Sequence, residues 1–244
     1  MATKDRMQTT AGSWALLGNT VPRDAHVVQR LRDAGAVILG RANMSEWASV
    51  RSNKYSTGYS PRGDQTRNPY DLTRSPKGSS SGSAVAVSAN VVPVAYGTET
   101  DTSVIGPAQV AGIVGIKPTV GLTSRSGVVP ISMNMDTVGC FGRNVADAVH
   151  ALNVIAGEDT RDPATVNPAR PHCADYTRYL SDRLSLNGAT FGLPMKRCWE
   201  MIEPSHKAIA NRVLDAMKEA GATVLPTDFP SWRDRIPEHG NWDW

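Results

Sequence analysis

Hydroxyl groups are concentrated in the middle of the chain. The segment Gly78-Ser-Ser-Ser-Gly-Ser83 holds four serines and two glycines in six positions, and Gly97-Thr-Glu-Thr-Asp-Thr-Ser103 adds more hydroxyls and two acids. Glycine lets a backbone turn tightly, so such a segment can aim several hydroxyl and N–H groups at one spot. Taken alone it reads as a flexible loop. A phosphate-cradling loop would close on Lys-Ser or Lys-Thr at a helix start. The lysine here, Lys77, precedes the loop, which excludes that chemistry. Gly78-Ser-Ser-Ser-Gly82 formally matches G-x-S-x-G, with Ser80 as the nucleophile of an α/β-hydrolase elbow. That elbow follows a buried strand, whereas Leu72-Thr-Arg-Ser-Pro-Lys77 comes before this one. It would also need a histidine base from His150, His172, His206 or His239, none of which has a local context that marks it. An esterase using Ser80 therefore stands as a lesser alternative.

The elements that must position these groups follow an α/β plan. Val27, Val28, Leu31 and Ala34 share one helical face, Gly35 is a natural helix stop, and Ala36–Leu39 reads as a short buried strand. The same order recurs at His206–Gly221, with Ile209, Val213, Ala216 and Met217 as its apolar stripe, Ser205 as N-cap and Ala222–Leu225 as strand. Helix, Gly-Ala, strand is half of a parallel αβ unit; convergence on good αβ chemistry explains the similarity better than a repeat. Between the two, Ser83–Ala89 reads as helix, Val91–Tyr96 and Val114–Lys117 as strands, and Asn144 as the cap of a helix ended by Gly157. Ala189–Leu193 is a further strand. The fold class is α/β, with a mixed or mainly parallel sheet covered by helices. Glu158–Pro171 is polar and proline-rich, which predicts an exposed connection or subdomain hinge.

Composition narrows the function classes. The 244 residues carry 26 basic and 23 acidic side chains, a net charge of +3 with no basic cluster, so nucleic acid is not an expected partner. Cys140, Cys173 and Cys198 lack metal-ligand or CxxC spacing, which predicts reduced thiols and a cytoplasmic setting. Met1 is followed by Ala-Thr-Lys-Asp-Arg rather than an apolar secretory core, and the run Ala84–Tyr96 is too interrupted and short to span a bilayer.

Both hydroxyl-rich segments together resemble the amidase signature family. Gly78–Asn90 is similar to its glycine-serine signature, Gly97–Ala108 to its nucleophile loop, and Gly112–Leu122 to the strand and turn that follow. Gln8-Thr-Thr-Ala-Gly-Ser13, Leu39–Trp47, Gln65–Tyr70 and Asp136-Thr-Val-Gly139 are flanking matches, so the resemblance runs from about Met7 to Gly157. It implies an enzyme that hydrolyses a C–N amide bond of a small amide or peptide amide without a metal or organic cofactor. It places the serine nucleophile at Ser103 and the family's cis-serine at Ser79, 24 residues earlier. In the implied relay a buried neutral lysine takes a proton from Ser79, which takes one from Ser103, and the alkoxide forms an acyl-enzyme. Backbone N–H groups of Thr100, Asp101, Thr102 and Ser103 would hold the oxyanion, with a helix N-terminus near Pro107 pointing at the site. Ser80 and Ser81 are further candidate site members.

The match has three departures. The family's lysine falls upstream of the Gln-Thr-Thr-Ala-Gly motif, a position just before Met1 here; Lys4 stands only five residues before Thr9 and reads as exposed on a frayed end. Thr102 occupies a position where the family has glycine, and Val104-Ile105 follow Ser103 where amidotransferase-type members carry arginine. That last difference points to a peptide-amidase-like or general amidase. The chain reads as a single partial domain, 1–244, shortened at both ends, with an atypical tryptophan-bearing tail at 230–244 and surface open to self-association. The alternative to an active amidase is an inactive relative that lacks the lysine.

Overall fold

The computed structural model describes residues 1–167, 173, 175–181, 186–196 and 198–230. They fall into two compact units, with the division between Arg178 and Tyr179. In the first unit the chain runs through α1 (His26–Asp33), a short hairpin of β1 (Tyr59–Ser60) and β2 (Asp64–Gln65), α2 (Ser81–Ser88) and β3 (Val94–Glu99). It continues through α3 (Ile105–Val110), β4 (Val114–Ile116), β5 (Thr137–Gly142) and α4 (Val145–Ile155).

β5 is the organising element. It lies between β3 and β4 and runs antiparallel to both, pairing Glu99 with Thr137, Gly97 with Gly139 and Ile116 with Cys140. All six of its residues are buried. A strand flanked on both sides and covered on both faces shows no polar alternation, and Thr-Val-Gly-Cys-Phe-Gly shows none. Val138 and Cys140 pack with Val27 and Val28 of α1 and with Ala151, Leu152 and Ile155 of α4. Phe141 packs the opposite way, with Ala84 and Val87 of α2 and with Val104 and Ala108 of the α3 region. Helix α4 starts where Asn144 predicts it: the side-chain oxygen accepts from the N–H of Asp147 at 2.8 Å.

The second unit contains β6 (Thr190–Pro194), α5 (Pro204–Glu219) and β7 (Thr223–Thr227), with β6 and β7 parallel. The strand set is therefore mixed in direction. Helix α5 is capped by Glu203, whose carboxylate accepts from the N–H of Ser205, and Ser205 itself lies inside the helix. Ile209 and Val213 stay more than half exposed, because a two-stranded sheet is too narrow to cover the whole apolar stripe.

Several local expectations are corrected. Ala36–Leu39 forms no strand; Val37 and Leu39 are exposed, and without a neighbouring strand the segment has no ladder to join. The strand expected at Val91–Tyr96 is displaced to Val94–Glu99. The amino end is not frayed: Ala2 donates to Gly127 O at 2.8 Å and accepts from Ala25 N at 2.9 Å, and Lys4 N donates to Asp24.

The stretch after Gly157 is exposed over most of its described part, as expected, but three of its polar side chains turn inward. Asp159, Asp162 and Thr165 are buried. Ser124 Oγ and Arg161 Nε donate to the Asp159 carboxylate at 2.7 and 2.9 Å, and Arg125 makes a two-pronged pair with Asp162 at 2.7 and 2.9 Å. Polarity is a misleading guide here because these acids are satisfied inside the fold. The tail tryptophans, His172 and His239 lie outside the described residues. Among the described residues no helix is long and apolar enough to cross a membrane.

Candidate active site

The two hydroxyl-rich segments meet at the end of β3. The serine segment leads into α2, and its Gly78–Ser79 peptide bond is cis. Ser45 N donates to Ser79 O, and Gly82 N donates to Asn43 O, both at 3.0 Å, so the chain around Asn43–Ser45 backs the loop. A Cβ on Gly82 would sit 2.5 Å from the Asn43 carbonyl oxygen, and one on Gly97 would sit 2.5 Å from Ser80 Oγ. Both glycines are required by close backbone approach rather than by turn geometry. Through that gap Ser80 Oγ donates to Thr98 O at 3.1 Å and accepts from Thr98 N at 3.2 Å. Ser80 N then donates to Ser103 O at 3.2 Å, which fastens one segment to the other.

Ser103 is nearly buried, with 9% of its surface exposed. Its Oγ donates to Asp101 O at 3.2 Å and not to Ser79. The hydroxyls of Ser79 and Ser81 are buried with no partner among the described residues. The main-chain N–H groups of Asp101, Thr102 and Ser103 likewise have no acceptor there. Buried polar groups are ordinarily paired, so the Ser79 and Ser81 hydroxyls are exceptions, whereas the unbonded N–H groups lie on a loop whose Asp101 and Thr102 are exposed. Thr102 occupies the left-handed region at φ +62°, and its Oγ1 donates to the Asp101 carboxylate at 2.7 Å.

Two acids frame this loop, and neither stands out in the sequence. Glu99 is buried, and its carboxylate accepts from Val104 N at 2.5 Å and Ile105 N at 2.9 Å. Asp136 accepts from Thr100 Oγ1 at 2.5 Å. The signal for Glu99 was an acid closing a mostly apolar strand six residues before a helix, where orphan N–H groups need an acceptor. Glu99 occupies the N–H groups of Val104 and Ile105, so the start of this helix offers neither of them as a donor to the site. Ser80 as an elbow nucleophile is corrected. Its hydroxyl is spent on β3, and no strand precedes it between residues 66 and 80. Thr100 and Asp101 lie on the same loop as Ser103, whereas Lys4 is exposed with its backbone tied to Asp24.

A family model for amidases matches residues 1–241. The chain belongs to the amidase family. Its fold is the amidase-signature fold: it superposes on the native peptide amidase of Stenotrophomonas maltophilia with a TM-score of 0.86 at 49% identity, over 93% of this chain and 46% of that one. A Schizosaccharomyces pombe protein that carries an amidase name is 51% identical over 246 residues, covering 100% of this chain and 42% of its own. A glutamyl-tRNA(Gln) amidotransferase component of Symbiobacterium thermophilum is 43% identical over 225 residues, 92% of this chain and 44% of its own. The amidase-family chain thus spans less than half the length of the relatives it matches.

Proposed function

We propose that this amidase-family chain carries the nucleophilic half of an amide-hydrolysing site, with Ser103 as nucleophile and Ser79 as the proton relay. The observation that carries the reading is the hydrogen bond from Ser80 N to Ser103 O, which seats the serine segment directly against the loop of Ser103. The unbonded N–H groups of Asp101, Thr102 and Ser103 then offer the donors that a tetrahedral oxyanion needs, each such donor being worth roughly 100- to 1000-fold in rate. Attack by Ser103 Oγ on the amide carbon would form an acyl-ester while its hydroxyl proton passes by way of Ser79 to the leaving nitrogen, which departs as ammonia or an amine, and water would then release the carboxylic acid. Reaching that geometry requires Ser103 Oγ to turn from Asp101 O towards the unpartnered Ser79 hydroxyl. The substrate class that fits is a small amide or peptide amide. Likeness to a peptide amidase and the Val104-Ile105 pair after Ser103 support this over a tRNA-linked amide.

The test is labelling with a fluorophosphonate and mapping of the modified peptide. The expected adduct lies on Ser103, disappears in Ser103→Ala and forms more slowly in Ser79→Ala. A folded protein that takes no adduct, or takes it on another serine, overturns the reading.

A further inference from the structure

We propose that Asp136 is a positioning residue for the Ser103 loop, acting through the hydroxyl of Thr100; the proposal rests on reading that loop as catalytic. The β3–β5 ladder ends at the pair Glu99–Thr137. Thr100 and Asp136 are the next pair in the same register, and a side-chain bond of 2.5 Å continues the connection where the backbone ladder stops. Asp136 is buried, and its second carboxylate oxygen accepts from Ile131 N at 2.7 Å and Ser132 N at 3.0 Å. One carboxylate thus ties the first residue of the catalytic loop to a turn on the far side. Hydrogen bonds to an ionised acceptor are shorter and about twice as strong as neutral ones.

The turn is itself anchored. Arg125 donates to Met133 O at 2.5 Å while it grips Asp162. Thr100 is therefore attached to a turn that is itself bonded to the rest of the fold. Glu99 fixes the other end of the same segment through Val104 and Ile105, so the unbonded N–H groups between them sit on a backbone held at both ends. Oxyanion donors work because they are aimed before the charge develops, and loosening one end spoils the aim.

The test isolates the Thr100 link. Thr100→Val removes only the hydroxyl, Thr100→Ser restores it, and Asp136→Ala removes the acceptor. The rate of fluorophosphonate labelling at Ser103 should fall about tenfold in Thr100→Val and stay within about twofold of the parent in Thr100→Ser. In the double variant it should be no slower than in Asp136→Ala alone, because both changes cut one connection. Hydrogen exchange gives a readout independent of chemistry: peptides spanning 98–105 should exchange faster in Thr100→Val and Asp136→Ala, with no further gain in the double. Multiplying effects, or faster exchange confined to 130–133, would overturn the proposal. If the parent takes no label yet exchange at 98–105 responds as stated, the catalytic reading fails and the positioning role stands. If Asp136→Ala does not fold, the Thr100 pair decides the matter alone.

Discussion

Glu99 reaches forward along the chain to the N–H of Val104, 2.5 Å away, and so closes the loop that presents Ser103. The same oxygen takes the N–H of Ile105 at 2.9 Å. A buried carboxylate with two main-chain donors is a cap supplied from a strand, and it shapes the nucleophile loop from behind.

Removing that cap should be costly. Glu99→Ala would leave the buried N–H of Val104 unsatisfied, at roughly 1–3 kcal/mol, and the part-buried N–H of Ile105 at less. Urea unfolding should show a loss of about 2 kcal/mol or more, and Ser103 labelling should slow. Glu99→Gln keeps one acceptor oxygen and should fall between parent and alanine.

Thr102 should be improved by glycine. A β-branched residue at φ +62° is held against its preference, at about 1–2 kcal/mol relative to glycine. The exposed hydrogen bond to Asp101 offsets little of this. Thr102→Gly is expected to gain about 1 kcal/mol in urea unfolding, and a variant less stable than the parent would refute the strain argument.

Acid should destabilise the α1–α4 side first. Burial pushes the Asp159 carboxyl up, but hydrogen bonds from Arg161 and Ser124, aided by His26, outweigh it and bring it down to about 2. The Arg125 hydrogen bond lowers Asp162 as well. The unfolded chain holds these protons more tightly, so the stabilisation is present above about pH 4 and is lost as pH falls towards 2. His26 is lowered chiefly by burial, so the unfolded chain also takes up that proton first, and stability declines below about pH 6.5. Asp159→Asn should flatten the acid limb of a stability profile measured from about pH 7 to 3, by about 1 kcal/mol across it.

The thiols should separate by burial. Cys140 donates to Ala148 O inside the core, and burial raises it to about 12, whereas Cys198 is exposed. Iodoacetamide at about pH 8 is expected to modify Cys198 within minutes and Cys140 only after unfolding. Native modification of Cys140 would mean that β5 opens locally.

The legible parts of the sequence were those governed by local chemistry. Asn144 announced its helix because a cap needs only its own next turn, and the resemblance to the amidase signature family joined the Gly/Ser and Thr-Ser segments into one site. Partners distant in the chain were not legible. Val37 and Leu39 look like a strand, but strand formation depends on a neighbour that residues 36–39 do not specify. Asp159 and Asp162 look like solvated acids until Ser124 and Arg125, some 35 residues earlier, are brought against them. Asp136 sat inside a motif yet gave no hint of its bond to Thr100, since only the β3–β5 register joins the two.

β5 also acts as a partition wall. Its Val138 and Cys140 belong to one hydrophobic compartment and its Phe141 to the other, with no residue facing water. The serine-bearing helix α2 leans on the second compartment and the buried acid pairs on the side of the first. Repacking of α1 or α4 can therefore drift without disturbing the nucleophile, provided the wall keeps its thickness. A methylene gained or lost within Thr137–Gly142 would be felt in both rooms at once.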